Sequence, residues 1–450
     1  MLIYNFQLAL KSLRERPALT ALMVLAIAIG LGLYTTVKTM AHQSSQIPLP
    51  HKSESLFLVQ MDNRETTAEE VTHQSRMVDT TYRDAVALHQ MAVPGVNQTY
   101  TWSTWGILSV EDPNITPVKT TAAATTSEFF NILETPFLFG QGWSATQESD
   151  AVIVISKQVN DRLFGGENSV GKTLKLGDHV MTVVGVVNKW NIVRKFYDRS
   201  FYSGEPDDFF VPATFAMDNE LGRDAYFECW STEADNWRRF RNGATSELYT
   251  SECAWVTYWA EVSDDSFEQY QQHVSQYIAQ QRELGRFPRG GELFLTNLNE
   301  QLNYVNGRNG FINLFSLIAI LFFSVCLLNS IGILLAKFMR RSKEVSIRRA
   351  LGAKKKTIVM QHVFEVAIIG ALGGLVGLVV AYYGLQGMLN IRIYASDYTL
   401  RVEDVAPMFQ LNLTMIGQAF VTGIVCTLIV SIYPIWRLCN VPPASQLKSQ

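Results

Sequence analysis

The 450-residue sequence has only five cysteines and seven histidines. The cysteines lack the C-x-x-C spacing of redox and zinc motifs, and the histidines lack metal-ligand spacing. A G-x-S-x-G nucleophile elbow is also missing, and no internal repeat or low-complexity segment occurs. These absences predict a chain that is not an enzyme and has no catalytic residue, bound metal or cofactor of its own.

Apolar residues are instead concentrated in four long blocks, at residues 18–41, 311–336, 358–389 and 413–436. Each block is long enough to cross about 30 Å of hydrocarbon as a helix that rises about 1.5 Å per residue. We therefore predict four transmembrane helices, TM1 to TM4. The first block is longer than a typical signal-peptide core and has no clear cleavage site, so we expect it to be retained.

Residues 1–17, ahead of TM1, have the pattern of an amphipathic helix lying on the inner leaflet. Its apolar face consists of Ile3, Phe6, Leu10 and Leu13, and its basic flank of Lys11, Arg14 and Arg16. We therefore expect the N-terminus to be cytoplasmic.

The loop at residues 337–357 orients the chain, because it holds nine Lys or Arg residues and one acid. By the positive-inside rule it faces the cytoplasm. Alternation then places residues 42–310 and 390–412 outside and the tail at 437–450 inside. Residues 42–310 agree with this topology, since their 21 basic and 35 acidic residues give a net charge of 21 − 35 = −14.

The segment at 42–310 has mixed α and β patterns. AVIVIS at 151–156 is typical of a buried strand, and the segment after it is typical of a short helix that ends at Gly165. TLKLGDHVMTVVGVV predicts a hairpin that turns at Gly177 and Asp178. Residues 264–284 predict an amphipathic helix with Phe267, Tyr270, Val274, Tyr277 and Ile278 on one face. The predicted fold class is thus a four-helix membrane protein with a large mixed α/β domain inserted between TM1 and TM2.

One motif resembles a nucleotide site. GENSVGKT at 166–173 matches G-x-x-x-x-G-K-T, in which Lys172 would contact phosphate. A phosphate loop joins a strand to a helix, whereas here a helix precedes the motif and a hairpin follows. We therefore predict a glycine turn.

Both cysteines of the inserted domain, Cys229 and Cys253, would lie in an oxidising compartment. A disulfide between them would contribute about 3 kcal/mol in the chain-entropy model. Two buried, unpaired thiols are the alternative.

The predicted spans contain two notable polar residues, Glu365 and Asn329. An ionisable residue in a span is a functional candidate, but an ion pathway needs several, so we favour a helix-end or interhelical packing role for Glu365. The spans also have closely spaced small residues, namely Ala26, Gly30, Gly370, Gly373, Gly374 and Gly377. Such a face allows helices to pack closely, either within one protomer or across a dimer interface.

NSIGILLAKFMRRSKEVSIRRALGA at 329–353 resembles the loop signature of MacB/FtsX/LolC-type (type VII, mechanotransmission) ABC transporter permeases. The matching residues are Asn329, Arg341, Glu344, Ile347, Arg348, Arg349, Ala350, Gly352 and Ala353, with Glu365 matching a later acid. Residues 121–187 resemble the MacB-like periplasmic core domain, and YPIWRLCNVPPASQL at 433–447 resembles the closing segment of the family. Residues 189–262, which contain both cysteines, follow the family poorly.

The resemblance implies a permease subunit in a bacterial inner membrane, with a separate cytoplasmic ATPase that binds the ATP and Mg²⁺. Permease dimers, a periplasmic adaptor and an outer-membrane channel are further expected partners, and nucleic acid is not one. The loop at 337–357 would be the coupling loop that contacts the ATPase, through Arg340, Arg341, Glu344, Val345, Ile347, Arg348, Arg349 and Leu351. Anchoring to anionic lipid is the alternative role for its charges.

The expected activity is export of peptides, toxins or amphiphiles from the periplasm, driven by motion that the ATPase imposes. An alternative is LolC-like extraction of lipoproteins. In that case the Trp-rich part of 189–262, with Trp190, Trp230, Trp237, Trp255 and Trp259, would form a chaperone-binding surface. A second alternative is an FtsX-like regulator of cell-wall hydrolases.

Overall fold

The computed structural model describes residues 8–9, 12–15, 17–64, 79–190, 195–198, 207–225, 227–229, 247–308, 310–395 and 402–440. The chain forms two compact units. The membrane unit comprises Met1–Gln46 and Asn306–Gln450, and the α/β domain comprises Ile47–Val305. The predicted fold class is confirmed, because an α/β domain is inserted between the first and second of four long apolar helices.

The four apolar helices are TM1 (Pro17–Ser44), TM2 (Gly310–Met339), TM3 (Lys355–Ala395) and TM4 (Leu413–Cys439). A shorter helix between TM2 and TM3, the loop helix, spans Ser342–Ala350. TM3 has 41 residues, so it continues past residue 389 into the segment that we assigned to a loop. That segment also holds a short helix at Val402–Val405 and a 3-10 turn at Ala406–Phe409.

Large apolar side chains cover the outside of these helices. Leu314, Leu328 and Val379 are 54 %, 64 % and 55 % exposed. The surface of a water-soluble protein rarely carries such a continuous apolar covering, whereas the apolar chains of lipids can contact it directly. The membrane unit is therefore built for a bilayer.

The small residues of the spans lie at contacts between helices of the same chain. A Cβ added to Gly373 would lie 2.8 Å from Ile27 of TM1, and one added to Gly377 would lie 3.2 Å from the Ala28 carbonyl oxygen. The remaining residues of the predicted set divide among other positions: Gly370 and Gly374 face TM4, Gly30 faces Phe323 of TM2, and Ala26 is half-buried. These glycines let TM1, TM2 and TM4 approach their neighbours closely, as required for intramolecular packing.

The described part of the α/β domain forms one 11-stranded sheet, in which nine strands follow the order β11-β1-β10-β3-β4-β9-β6-β8-β5. Of the other two strands, β2 pairs with β10, and β7 pairs with β3 and β8. The pairs β4–β9 and β6–β8 are parallel and the other pairs are antiparallel. The strands are Leu56–Met61 (β1), Thr80–Thr81 (β2), Val96–Ser109 (β3), Val118–Thr125 (β4), Phe137–Gly140 (β5), Val152–Ser156 (β6), Thr173–Leu176 (β7), His179–Val187 (β8), Phe209–Pro212 (β9), Ala254–Val262 (β10) and Leu293–Asn297 (β11).

The helices of this domain are Tyr82–His89 (α1), Phe129–Ile132 (α2), Lys157–Phe164 (α3), Ala213–Asp218 (α4), Phe267–Glu283 (α5) and Leu298–Arg308 (α6). Helix α3 begins where Ser156 accepts a hydrogen bond from the Val159 N–H at 3.2 Å, and it ends at Gly165 in the left-handed conformation. Helix α5 buries Tyr270, Val274, Tyr277 and Ile278 as predicted.

The GENSVGKT segment joins α3 to the β7–β8 hairpin, as its sequence context predicts. Gly166 and Gly171 have φ angles of 84°, which a glycine adopts without strain. The Lys172 ammonium lies 3.7 Å from the Glu167 carboxylate at an exposed position. The segment therefore has the structure of a glycine turn.

Two of the five tryptophans that we assigned to a chaperone-binding surface are buried in the sheet. Trp255 and Trp259 lie in β10 and are 2 % and 1 % exposed, because β10 is central in the sheet and buried on both faces. Trp190 is half-buried and stacks on Tyr197 with ring centroids 5.8 Å apart. Trp230 and Trp237 lie outside the described residues.

A buried ion cluster holds the described residues 195–198 and 207 of the divergent region against the sheet. The Lys195 ammonium lies 2.9 Å from Asp207 and 3.1 Å from Asp198, and it donates to Ser103 of β3 at 2.8 Å. Burial by itself would lower the pKa of Lys195, but the two carboxylates raise that pKa overall. The lysine therefore stays charged inside the domain.

Cys229 and Cys253 form a disulfide, with their sulfur atoms 2.04 Å apart. Cys253 is fully buried next to β10. The bond closes a loop with a sequence separation of 24 residues, and such a crosslink stabilises a fold mainly by restricting the unfolded chain.

We predict that a reductant will lower the thermal stability of the full chain in detergent by the equivalent of about 3 kcal/mol. The C229S/C253S variant should be as stable as the reduced wild-type chain and should not respond to reductant. A C326S/C426S/C439S variant, which keeps the disulfide, is the matched control and should respond fully. An equal response in both variants would contradict a stabilising disulfide.

Candidate functional site

Two fully buried charges meet where TM2 ends and TM3 begins. The Lys337 ammonium of TM2 lies 2.6 Å from the Glu365 carboxylate of TM3, and both side chains are 0 % exposed. The residues come from different helices, so the pair links the end of TM2 to TM3, and both of these helices pack against TM1.

Further polar groups complete the hydrogen bonding of this pair. Ser12, in the segment ahead of TM1, donates a hydrogen bond to Glu365 Oε1 at 2.6 Å, and His362 Nδ1 lies 3.1 Å from Glu365 Oε2. The Lys337 ammonium also donates to Thr20 of TM1 at 3.3 Å. Glu365 therefore connects the N-terminal segment with TM2 and TM3.

Arg341 extends the network toward the loop helix. It lies one helical turn after Lys337, so both side chains project from the same side of the chain. Its guanidinium donates to the Ser12 hydroxyl and forms an ion pair with Glu15. We call Ser12, Glu15, Lys337, Arg341, His362 and Glu365 the junction network.

Burial makes the Lys337–Glu365 pair sensitive to the loss of either partner. Removing two charges from water costs several kcal/mol per ion, which their attraction offsets only while both are present and hydrogen-bonded. Removing one partner leaves the other charge buried and uncompensated, at a cost of about 3–5 kcal/mol. The junction network consequently constrains the relative positions of three segments of the membrane unit.

The loop helix has one buried side and one exposed side. Val345 is 8 % exposed and belongs to a cluster with Phe338 and Ile358. Ile347 and Leu351 are 50 % and 82 % exposed. The side of the loop helix that carries Val345 is thus packed, while Ile347 and Leu351 are exposed.

Polar contacts anchor the loop helix at its C-terminal end. Arg348 pairs with Glu344 at 2.5 Å and donates to Gln361 of TM3 at 3.2 Å. Arg349 donates to the carbonyl oxygen of Cys439, the last residue of TM4, at 3.1 Å. The loop helix is therefore tied to TM3 and TM4 while Arg340 stays exposed.

The structure divides the predicted coupling residues into three groups. Arg340, Glu344, Ile347 and Leu351 are exposed, whereas Val345 and Arg341 are buried. The side chains of Val345 and Arg341 are thus not available to a partner, because each already contacts the membrane unit. Arg348 and Arg349 are half-buried anchors.

Sequence reasoning missed four members of the junction network. Lys337 counted only toward the loop charge, and Ser12, Glu15 and His362 received no role. The sequence did contain a signal for the Lys337–Glu365 pair. One span ends with a basic residue, and the next span has an acidic residue at a similar depth. Asn329, the other polar residue noted in the spans, is exposed on TM2.

Within the described ranges, no group of three His, Cys, Asp or Glu side chains is placed to hold a metal ion.

The organisation described above is that of a multi-pass membrane protein with a large α/β domain after its first helix. Two family models match the chain, the MacB-like periplasmic core domain at residues 20–248 and the FtsX-like permease C-terminal region at residues 313–443. The first match covers more than half of the chain. The chain therefore belongs to the MacB/FtsX-type family of ABC transporter permeases.

Among similar curated proteins is the macrolide export ATP-binding/permease protein MacB of Neisseria meningitidis. It is 25 % identical over 247 residues, which are 54 % of this chain and 32 % of that protein. A MacB protein of Yersinia pestis is 22 % identical over 321 residues, which are 69 % of this chain and 39 % of that protein. The chain thus matches about a third of the length of these relatives.

Solved structures with some similarity include the periplasmic region of MacB from Actinobacillus actinomycetemcomitans. The TM-score is 0.35 at 13 % identity, over 59 % of this chain and 99 % of that one. The extracellular domain of the noncanonic ABC-type transporter YknZ from Gram-positive bacteria gives a TM-score of 0.29 at 12 % identity, over 48 % of this chain and 88 % of that one.

We predict that Glu365→Ala will destabilise the full chain by about 3–5 kcal/mol, because the Lys337 ammonium loses its buried partner. The double variant Lys337→Met, Glu365→Leu should recover most of this loss, since it removes both charges and keeps apolar volume. Thermal unfolding in detergent measures both effects.

Glu344→Ala is the matched control, because it removes an acid from the exposed pair with Arg348. Its effect should stay below about 1 kcal/mol. A Glu365→Ala variant as stable as wild type, or a double variant no more stable than Glu365→Ala alone, would contradict the energetic role of the buried pair.

Proposed function

We propose that this chain is the permease subunit of a MacB-like ABC transporter in a bacterial inner membrane. In this proposal a separate cytoplasmic ATPase binds ATP and Mg²⁺ and moves the permease. The permease transmits that motion to its α/β domain on the periplasmic side, which drives export of peptides, toxins or amphiphiles from the periplasm.

The observation that carries the proposal is the two-sided loop helix. Its outward side combines Ile347 and Leu351 with charged residues, a composition suited to a groove on a protein partner. Anchoring to anionic lipid, the alternative role, needs charge alone and would not require the RRALGA sequence at 348–353.

The anchored side supports transmission of motion. A displacement of the loop helix would act on TM3 through Arg348 and Gln361 and on TM4 through Arg349. The junction network begins one residue before the loop helix, at Arg341, and reaches TM2, TM3 and the N-terminal segment. Coupling travels through such contiguous packed and hydrogen-bonded elements when they move as units.

Topology and assembly follow from the same proposal. The basic loop would face the cytoplasm together with both termini, by the positive-inside rule. Two permeases would pair as a dimer, and a periplasmic adaptor and outer-membrane channel would complete the export path.

Lipoprotein extraction is less well supported than export. That alternative used the Trp-rich region as a docking surface, but Trp255 and Trp259 are buried in the sheet. No observation in the described part of the chain favours regulation of a cell-wall hydrolase over transport.

We predict that the I347E/L351E variant will lose at least tenfold in affinity for the partner ATPase, because two apolar contacts would be replaced by charges in a groove. The measurement is co-purification from native membranes, followed by titration of the isolated ATPase into the purified permease.

Lys356→Ala is the matched control, since it removes an exposed charge at the start of TM3, beyond the loop helix. Its affinity should stay within about twofold of wild type. Failure of any ATPase to co-purify with the wild-type chain, or unchanged affinity in a stably folded I347E/L351E variant, would refute the proposed role of the loop helix.

A further inference from the structure

The α/β domain contains a cavity of about 430 Å³ beside helix α1. Its floor is formed by Tyr82 at the start of α1 and by Tyr100 of β3, which are 5 % and 4 % exposed. Its rim includes Tyr249, which is 39 % exposed. A cavity of this size, with a buried floor and an accessible rim, falls in the range of small-molecule sites.

Three tyrosine rings shape the cavity. Tyr82 packs edge-on against Tyr100, with ring centroids 6.2 Å apart, and edge-on against Tyr249, with centroids 5.4 Å apart. Tyr82 also stacks on Trp255 and Tyr100 on Trp102, with ring centroids 6.2 Å apart in each pair, so part of each ring is covered by a neighbour. The parts of the three rings that line the cavity offer apolar contact area.

An incompletely satisfied carboxylate also lines the cavity. Glu148 Oε1 accepts the Ser127 N–H at 2.6 Å, but Glu148 Oε2 is buried without a hydrogen bond within the described residues. Burial raises the pKa of Glu148, whereas Ser127 and the nearby Trp143 indole oppose that shift. Within the described residues the Trp143 N–H forms no hydrogen bond. Buried carboxylate oxygens normally have partners, so Oε2 has capacity for a donor.

The other ionisable groups of the lining leave this acidic character in place. Burial lowers the pKa of His89, which favours its neutral form, and His89 Nε2 lies 3.5 Å from Glu128. Arg83, at the rim, is paired with Glu252. The sequence around the cavity, residues 42–310, has a net charge of 21 − 35 = −14, so the long-range field also favours a cation.

We propose that this cavity binds a cationic amphiphile, with the ammonium group at Glu148 and the apolar body against Tyr82, Tyr100 and Tyr249. Binding is a property of the α/β domain and needs no ATPase. The role of such amines as cargo rests on the proposed function, whereas the site itself does not.

The test uses the full chain in lipid nanodiscs and three matched probes, 4-phenylbutylamine, 4-phenylbutanol and 5-phenylpentanoate. Calorimetric titration, with empty nanodiscs as the blank, should show saturable one-to-one binding of the amine. The amine should bind at least tenfold more tightly than the alcohol, and the carboxylate should bind more weakly than both.

Glu148→Gln should weaken amine binding at least tenfold and leave alcohol binding within about twofold, because only the amine uses the carboxylate charge. Tyr249→Ala, at the exposed rim, should weaken both probes severalfold, and it tests the site independently if Glu148→Gln does not fold. Glu268→Gln, an exposed acid on α5, is the control and should bind as wild type.

Equal binding of amine and alcohol, tighter binding of the carboxylate, or amine binding unaffected by folded Glu148→Gln and Tyr249→Ala variants would each overturn the proposal. Absence of saturable amine binding would overturn it as well. These outcomes are independent of ATPase association, so failure of this site and failure of the proposed coupling role are separable.

Discussion

The buried ion pair between Lys337 and Glu365 is the constraint on which the organisation of the membrane unit depends. Neither charge has access to solvent, so each requires the other, and the end of TM2 must stay within ion-pair distance of TM3. Ser12, His362 and Thr20 complete the hydrogen bonding of the pair. Arg341 donates to Ser12, which brings the N-terminal segment and the start of the loop helix to the same point. Glycines on TM1 and TM3 then allow the helices to pack at the close distance that this arrangement needs.

The α/β domain handles buried charge in two different ways. The Lys195 cluster is fully coordinated by two aspartates and a serine, as expected of a group that only stabilises the fold. Glu148, by contrast, lines a cavity and keeps one oxygen without a hydrogen bond. A buried polar group whose hydrogen bonds are all formed usually stabilises the fold. A polar group that lacks a hydrogen-bond partner beside an open cavity is typical of a binding site.

Local patterns predicted much of the secondary structure. Run length predicted the four spans, the VIVIS run predicted β6, and helical spacing predicted the buried face of α5. Context was enough to separate the GENSVGKT turn from a phosphate loop. The same reasoning treated the loop helix as uniformly available to a partner, and it did not foresee that Val345 and Arg341 are buried while Ile347 and Leu351 are exposed.

The sequence by itself determined the family, the number of spans and the class of the inserted domain, because hydrophobicity, periodicity and a contiguous loop motif act over short stretches of chain. Tertiary structure alone decided which charges meet. Ser12 and Glu365 are 353 residues apart, and no local preference relates them. Their contact, like the placement of Glu148 beside three tyrosines from separate segments, exists only because helix packing and sheet order bring distant residues to one point.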